Sequence, residues 1–429
     1  MAKLSIALAA AAGLTAAPAA AQTQITFWHA MGGPLGEQVE AIAAGFNESQ
    51  ADYVVAPVYK GDYAETMTAA LAAFSAGEPP HIVQVFDVGT ASMMAATGAI
   101  RPVHEIMEDT DAFDREAFLP AVKSYYATTD GRLLSLPFNA STPVLWVNRD
   151  VIGSAVPQTW DQMFDLADRL QANGHDCAFS FGWQSWVMIE NYLAWHDTPI
   201  GTAENGLASF STELVFDDAA ELAALLQRIS DSQADGVFKY GGRRGASLPL
   251  FTSGECAMWI NSSAYYVVIS DYVEFAFGQS MLPLDTAMAE APQNSIIGGA
   301  TLWTMGGHDA VAYDGVAAFF AYLSSAEVQA TWHQETGYVP ITTAAYDLSR
   351  EQGFYAENPG TDTAIKQLSL NAPTANSKGL RFGNFVQIRD VINEELELLW
   401  AGEKTAVQAL DDAARRGNAL LRAFERTVH

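Results

Sequence analysis

Basic residues and cysteine are what this chain is short of. Its 429 residues carry 22 Lys and Arg against 50 Asp and Glu, a formal net charge of −28 at pH 7. A polyanion of that kind repels phosphate backbones and anionic bilayers, so nucleic acid and acidic membrane surfaces are excluded as partners. The bland reading is a solubilising or salt-adapted surface. Any anionic ligand has to be held by local donors, and by an Arg at most, against the global field. Cysteine occurs twice, at Cys177 and Cys256. The spacing matches no zinc pattern. In an oxidising compartment the two either form a disulfide or stay as buried free thiols. After residue 21 no apolar run is long enough to span a bilayer, so no stable membrane insertion is expected. Catalytic signatures are missing as well. There is no G-x-S-x-G elbow, no H-E-x-x-H and no Walker motif, and the 8 His show no helical metal-ligand pair. A noncatalytic cleft is the economical expectation, with no catalytic residue, no metal and no cofactor. An exported hydrolase is the rival from a different class.

What the chain does contain begins with a leader. Lys3, the apolar LSIALAAAAGL and the small residues Ala19, Ala20 and Ala21 read as a secretory signal peptide over 1–21, without a lipid-anchor Cys at the cut. The remainder is too long for a single comfortable core, so two lobes are expected. ITFWHA, YVVAPVY and HIVQVFDV read as strands. Between them, Leu35, Val39, Ile42 and Phe46, then Tyr63, Met67, Leu71 and Phe74, mark two amphipathic helices, the second opened by Asp62 and Glu65. This β-α-β-α-β order predicts a parallel sheet covered on both faces.

The pattern breaks at PFNAS (137–141), and VLWVNRDV starts a new unit. Thr159 and Gln162 predict a capping box, with Gly174 as the stop. CAFSFGW, the stretch ending in INSSA, and FAFGQSMLP to QNSIIGGATLWTM read as strand-like. Helices are expected over most of 187–250 and over 388–400 and 405–424. Ligands of open α/β sheets sit beyond the carboxyl ends of strands, which singles out Asp87, Ser141, Trp183, Ser262 and Gly299. The pair Gly298-Gly299 is either a bare turn or a place where a ligand approaches the backbone. Arg243 and Arg244 in YGGRRGAS read as solvated charges in an exposed turn, with a phosphate grip as the sharper alternative.

The ordered set VYKGDYAETM, VQVFDVGTASMM, PFNASTPVLWVN, TWDQMFDLA, GWQSW, QNSIIGGATLW, WHQETGYVPIT and GNFVQIRDVINEELELLW resembles the periplasmic sn-glycerol-3-phosphate-binding proteins of ABC importers (UgpB type), within the maltose-binding-protein class. The resemblance runs from the leader to the last helix. It implies an α/β clamshell of the periplasmic-binding-protein kind, with two α/β lobes joined by hinge segments and a ligand cleft between them. The chain would cross between lobes more than once, giving an N-terminal lobe of 22–139 plus about 275–325 and a C-terminal lobe of 140–274 plus about 326–429. It also implies a periplasmic monomer that hands sn-glycerol-3-phosphate, or a related phosphoester such as glycerophosphocholine, to a permease and ATPase complex. A sugar or oligosaccharide ligand is the alternative within the same fold.

Ligand contacts carry over residue by residue to Tyr63 in GDY, Ser141 in FNAST, Ser262 in INSSA, Gly299 in IIGGA, Tyr338 in ETGYVP, Arg389 in VQIRDV and Trp183 in GWQSW. Asp87 stands where the family has Glu, an acceptor arm shorter by one methylene. The expected division of labour gives Asp87 the polyol hydroxyls and Arg389 two phosphate oxygens, helped by Ser, Tyr and the Gly299 N–H. Trp183 would pack on the carbon skeleton.

Overall fold

The computed structural model describes residues 22–428 except 109, 111 and 112. The signal-peptide reading of 1–21 lies outside the described residues.

Among the described residues ten strands form two sheets. They are β1 (Thr23–His29), β2 (Tyr53–Tyr59), β3 (Ile82–Phe86), β4 (Ile100–Arg101), β5 (Leu136–Ser141), β6 (Pro143–Asn148), β7 (Phe179–Phe181), β8 (Met258–Ser262), β9 (Phe277–Ser280) and β10 (Gly298–Met305). The first sheet has the order β2-β1-β3-β10-β4, with β5 also paired to β10. Its first three strands are parallel, as the alternation of strand and helix predicts. Strand β10 then enters antiparallel to β3, β4 and β5. The second sheet is β7-β8-β6-β9.

The helices that matter for the site are α1 (Gly33–Ser49), α2 (Tyr63–Ser75), α3 (Pro120–Tyr126), α4 (Trp160–Ala172), α5 (Ala220–Gln233), α6 (Ala310–Leu323), α7 (Ala326–Thr336), α8 (Phe385–Trp400) and α9 (Ala406–Val428). Helix α2 starts with a full capping box: Glu65 N–H donates to Asp62 Oδ1 at 2.9 Å, and Asp62 N–H to Glu65 Oε2 at 2.8 Å. In α4 half of the expected box forms. The hydroxyl of Thr159 takes the N–H of Gln162, but the Gln162 side chain reaches one residue further back, to the N–H of Gln158.

Strand β6 begins two residues after β5 ends, so the chain changes sheets at Thr142. The return comes later than expected. Phe277–Ser280 pairs with β6 in the second sheet, so the segment from about 275 does not yet belong to the first; the chain goes back between Ser280 and Gly298. Helix α6 then packs on β1, and α7 packs on α1, so α7 is tied to the first-sheet side rather than opening the C-terminal lobe. Helices α8 and α9 pack on each other and on α5.

The passages meet in a buried polar knot. The Thr142 hydroxyl lies 3.0 Å from the Ile296 carbonyl and 2.7 Å from Ser295 Oγ. Gln367 Nε2 donates to the Pro143 carbonyl at 2.8 Å and to Ser295 Oγ at 2.9 Å. Three distant segments are thereby fastened at one point.

Cys177 and Cys256 form a disulfide across 79 positions, just ahead of the parallel neighbours β7 and β8. Of the two states the sequence leaves open, the structure has the paired one.

Candidate functional site

A cavity of about 210 Å³ lies between the two sheets, and all eight residues singled out from the sequence line it. Tyr63 opens α2, Asp87 follows β3, and Ser141 ends β5. Trp183 follows β7, Ser262 ends β8, Tyr338 follows α7, and Arg389 projects from α8. The strand-end residues come from the carboxyl ends of their strands. Gly299 reaches the same rim because β10 runs the opposite way. Leu35, Phe86, Trp186 and Tyr265 complete much of the wall.

The charged centre differs from expectation. The guanidinium of Arg389 is already gripped: Nε and Nη2 donate to the two carboxylate oxygens of Glu190 at 2.7 and 2.6 Å. Nη2 also donates to Asp87 Oδ2 at 2.8 Å. Neither Asp390 nor Glu394 is its partner; Glu394 pairs with Arg416. The planar fork is therefore turned to Glu190, and the guanidinium edge left for a ligand is Nη1. Asp87 and Glu190 are 3% and 1% exposed, so burial pushes both carboxyls above the usual range while Arg389 pulls them back. Burial works against the Arg389 charge, but the two carboxylates outweigh it and hold its pKa above the ordinary value. Two carboxylates to one guanidinium leave the centre with an excess of negative charge.

Neutral hydrogen-bonding groups are set by a relay from the backbone. Ala30 N–H donates to Gln84 Oε1 at 2.8 Å, Gln84 Nε2 to Asn139 Oδ1 at 2.8 Å, and Asn139 Nδ2 to the Tyr63 hydroxyl at 2.9 Å. With its oxygen engaged by Asn139, the Tyr63 hydroxyl is also hydrogen-bonded to the Tyr338 hydroxyl, so the two phenols act as one linked pair at the rim. The Tyr63 ring stacks on Phe86 at 5.5 Å. Tyr338 stacks on Trp332 at 5.8 Å, and its carbonyl accepts from His333 Nδ1 at 2.6 Å. Burial raises the pKa of both tyrosines, so they stay protonated donors. The Ser262 hydroxyl accepts from Ala264 N–H at 3.2 Å, which leaves its proton available.

The glycine pair has structural causes. Gly299 has φ +114°, and a Cβ there would lie 1.9 Å from the Asn139 carbonyl oxygen. A Cβ on Gly298 would lie 2.6 Å from the Trp186 ring. The close approach is between β10, β5 and an indole, so a turn is not the reason; the pair opens strand β10.

Arg243 and Arg244 are both engaged. Arg243 holds Glu397 through Nε and Nη2 at 2.7 and 2.6 Å. Arg244 donates to Asp62 Oδ2 at 3.0 Å. Among the described residues no group of three or more His, Cys, Asp or Glu is placed to hold a metal ion.

Sequence reading missed Glu190, Gln84 and Asn139. Each is a polar residue inside an apolar run (SWVMIENYLAW, HIVQVF, LPFNAS), and that was the available signal.

Residues 41–363 match the family model described as bacterial extracellular solute-binding protein. The sn-glycerol-3-phosphate-binding periplasmic protein UgpB of Yersinia pseudotuberculosis is 46% identical over 95% of this chain and 94% of its own. The UgpB of Escherichia coli K12 is 44% identical over 96% and 95%. Among solved structures, UgpB from Mycobacterium tuberculosis in complex with glycerophosphocholine superposes with a TM-score of 0.76 at 19% identity, over 94% of this chain and 99% of that one. Maltose-bound MalE3 of T. maritima gives 0.74 at 18%, over 93% and 100%. These two likenesses establish the fold, a two-lobed α/β clamshell. The family match and the full-length relatives carry the classification: the chain belongs to the bacterial extracellular solute-binding proteins.

Proposed function

We propose that this chain is the noncatalytic periplasmic binding subunit of an ABC importer and that its ligand is sn-glycerol-3-phosphate, delivered to a membrane permease with its ATPase. The observation that carries the reading is the convergence of Tyr63, Asp87, Ser141, Trp183, Ser262, Gly299, Tyr338 and Arg389 on one small cavity between the sheets. At about 210 Å³ it is smaller than the roughly 300–1,000 Å³ of pockets for drug-sized ligands, and it suits a short polyol phosphate.

Asp87 uses its second carboxylate oxygen to accept from glycerol hydroxyls, while Oδ2 stays with Arg389. Because Glu190 and Asp87 offset the guanidinium, the phosphate is held chiefly by uncharged donors: the hydroxyls of Tyr63, Ser141, Ser262 and Tyr338 and the Gly299 N–H. Arg389 Nη1 adds a charge-assisted contact. Trp183 lies against the carbon chain. Several contacts of about 1–3 kcal/mol each, less the ordering cost, reach about −8 kcal/mol, in the micromolar range. A ligand touching both lobes favours closure.

The lobes we assign are 22–141 with 298–336, and 143–280 with 363–428, joined through the Thr142 knot. No helix among the described residues is long and apolar enough to cross a membrane; we take the subunit to work as a monomer.

Calorimetric titration with sn-glycerol-3-phosphate, glycerophosphocholine and maltose tests the ligand. Micromolar binding of a phosphoester and none of maltose is expected; the reverse order would replace this reading by a sugar-binding one.

A further inference from the structure

A second cavity, of about 300 Å³, lies away from the first, with Lys123, Ser124, Thr128, Thr129, Lys378 and Arg381 in its wall and no carboxylate among its lining residues. In a chain with 22 basic residues against 50 acidic ones, three cations around one carboxylate-free hollow call for a cause. The central one is Arg381, 3% exposed. Its Nη2 donates to the carbonyls of Tyr125 and Ala127 at 3.0 and 2.7 Å, and its Nε has no hydrogen-bond partner. It makes no ion pair among the described residues. A buried guanidinium without a counter-charge is costly, and burial pushes its pKa down to about 10.

The two lysines are each tied to one exposed carboxylate. Lys123 Nζ is 2.6 Å from Glu116, and Lys378 pairs with Glu204. These five groups leave one positive charge over, that of Arg381. The two sides of the hollow have different origins. Lys123 and Ser124 sit on α3, which packs on β5 of the first sheet. Lys378 and Arg381 lie on the segment leading into α8, with the Arg381 N–H held by the Asn205 carbonyl at 2.9 Å. The Ser124 hydroxyl donates to the Lys378 carbonyl at 2.9 Å and so closes one edge.

We propose that this hollow is a second anion site, for a small doubly charged oxyanion of the size of orthophosphate, lying on the seam between the two lobes. The bound oxyanion supplies the counter-charge that Arg381 lacks, and Lys123 and Lys378 converge on it from opposite sides. Thr129 adds a hydroxyl at the wall. The site is independent of the ligand assigned to the central cavity.

The test is titration of the purified protein with inorganic phosphate, followed by calorimetry, in wild type and two double variants. Lys123→Ala/Lys378→Ala removes the rim cations without touching the buried Arg381. Ser141→Ala/Ser262→Ala weakens the central cavity. The expected result is that phosphate binds wild type, and that the lysine variant loses at least about tenfold in affinity. The serine variant should stay within about twofold. Arg381→Gln should lose phosphate binding, and where it fails to fold, as read by circular dichroism, the lysine variant still decides. Absence of phosphate binding in wild type overturns the proposal. So does a loss confined to the serine variant, which would put the phosphate in the central cavity.

Discussion

Glu190 and Arg389 form a two-pronged pair, 2.7 and 2.6 Å, buried at the heart of the cleft and joined by Asp87 from the other lobe. The residue that reads from sequence as a free phosphate grip is therefore the keystone of an ion triad. Removing it strands two buried carboxylates. Arg389→Ala should lose about 3–5 kcal/mol of stability in denaturant unfolding as well as ligand affinity. Adding Glu190→Gln to that variant should restore much of the stability and little of the affinity. A double variant no more stable than Arg389→Ala would show that the carboxylate is not what the guanidinium supports.

The knot at Thr142 is a second place where one side chain serves two lobes. Thr142→Val keeps the shape and leaves Ser295 Oγ and the Ile296 carbonyl without that hydroxyl. A cost of about 1–3 kcal/mol is expected, read by thermal or chemical unfolding. Small-angle scattering without ligand should show a wider spread of opening angles than wild type.

The Cys177–Cys256 bridge closes a loop of 79 positions just ahead of two strands of the second sheet, and neither cysteine lines the cavity. Cys177→Ala/Cys256→Ala should lower unfolding free energy by about 2–4 kcal/mol. Ligand affinity should stay within about twofold, since no cavity residue changes.

Acid should weaken the fold through His333. Its Nδ1–H is committed to the Tyr338 carbonyl, Nε2 is buried without a partner, and burial lowers its pKa to about 4. The unfolded chain takes up the proton near pH 6.5. A folded value below the unfolded one means stability present above about pH 6.5, lost as pH falls toward 4, and worth about 3 kcal/mol. His29 and His196 are lowered by burial and act with it. Asp87 and Glu190, raised by burial, act in the opposite sense. Unfolding curves at pH 7.5 and 4.5 check this, and His333→Gln should flatten the difference.

Asp62 and Arg244 meet at 3.0 Å, one beside Tyr63 and the other offering its carbonyl to the Trp183 N–H at 2.9 Å. The pair is exposed, so Arg244→Ala should weaken ligand binding by no more than about fivefold, and high salt should erase the difference. A loss of a hundredfold would mean Arg244 touches the ligand.

Much of this molecule is legible along the chain. The parallel β1–β3 core and the Asp62/Glu65 capping box follow from patterns a few residues long, because local periodicity and caps are local physics. Meeting places are another matter. Arg389 finds Glu190 across 199 positions and Asp87 across 302, and no spacing rule reaches that far. Asp87, Ser141, Trp183, Ser262 and Gly299 follow from the ends of strands, and Tyr63, Tyr338 and Arg389 from the resemblance, but neither route names the partners that hold them. Gly298 and Gly299 show the same limit: their bareness is legible, but the indole of Trp186 and the carbonyl of Asn139 that demand it are not.

Strand β10 lies in the interior of the first sheet, with β3 on one side and β4 and β5 on the other, although it comes after every strand of the second sheet. A growing chain therefore cannot finish its amino-terminal half until residue 305 has been made. Any shorter fragment exposes the edge of β3 to water, and a fragment expressed without the later half would be a poor guide to how the intact protein behaves.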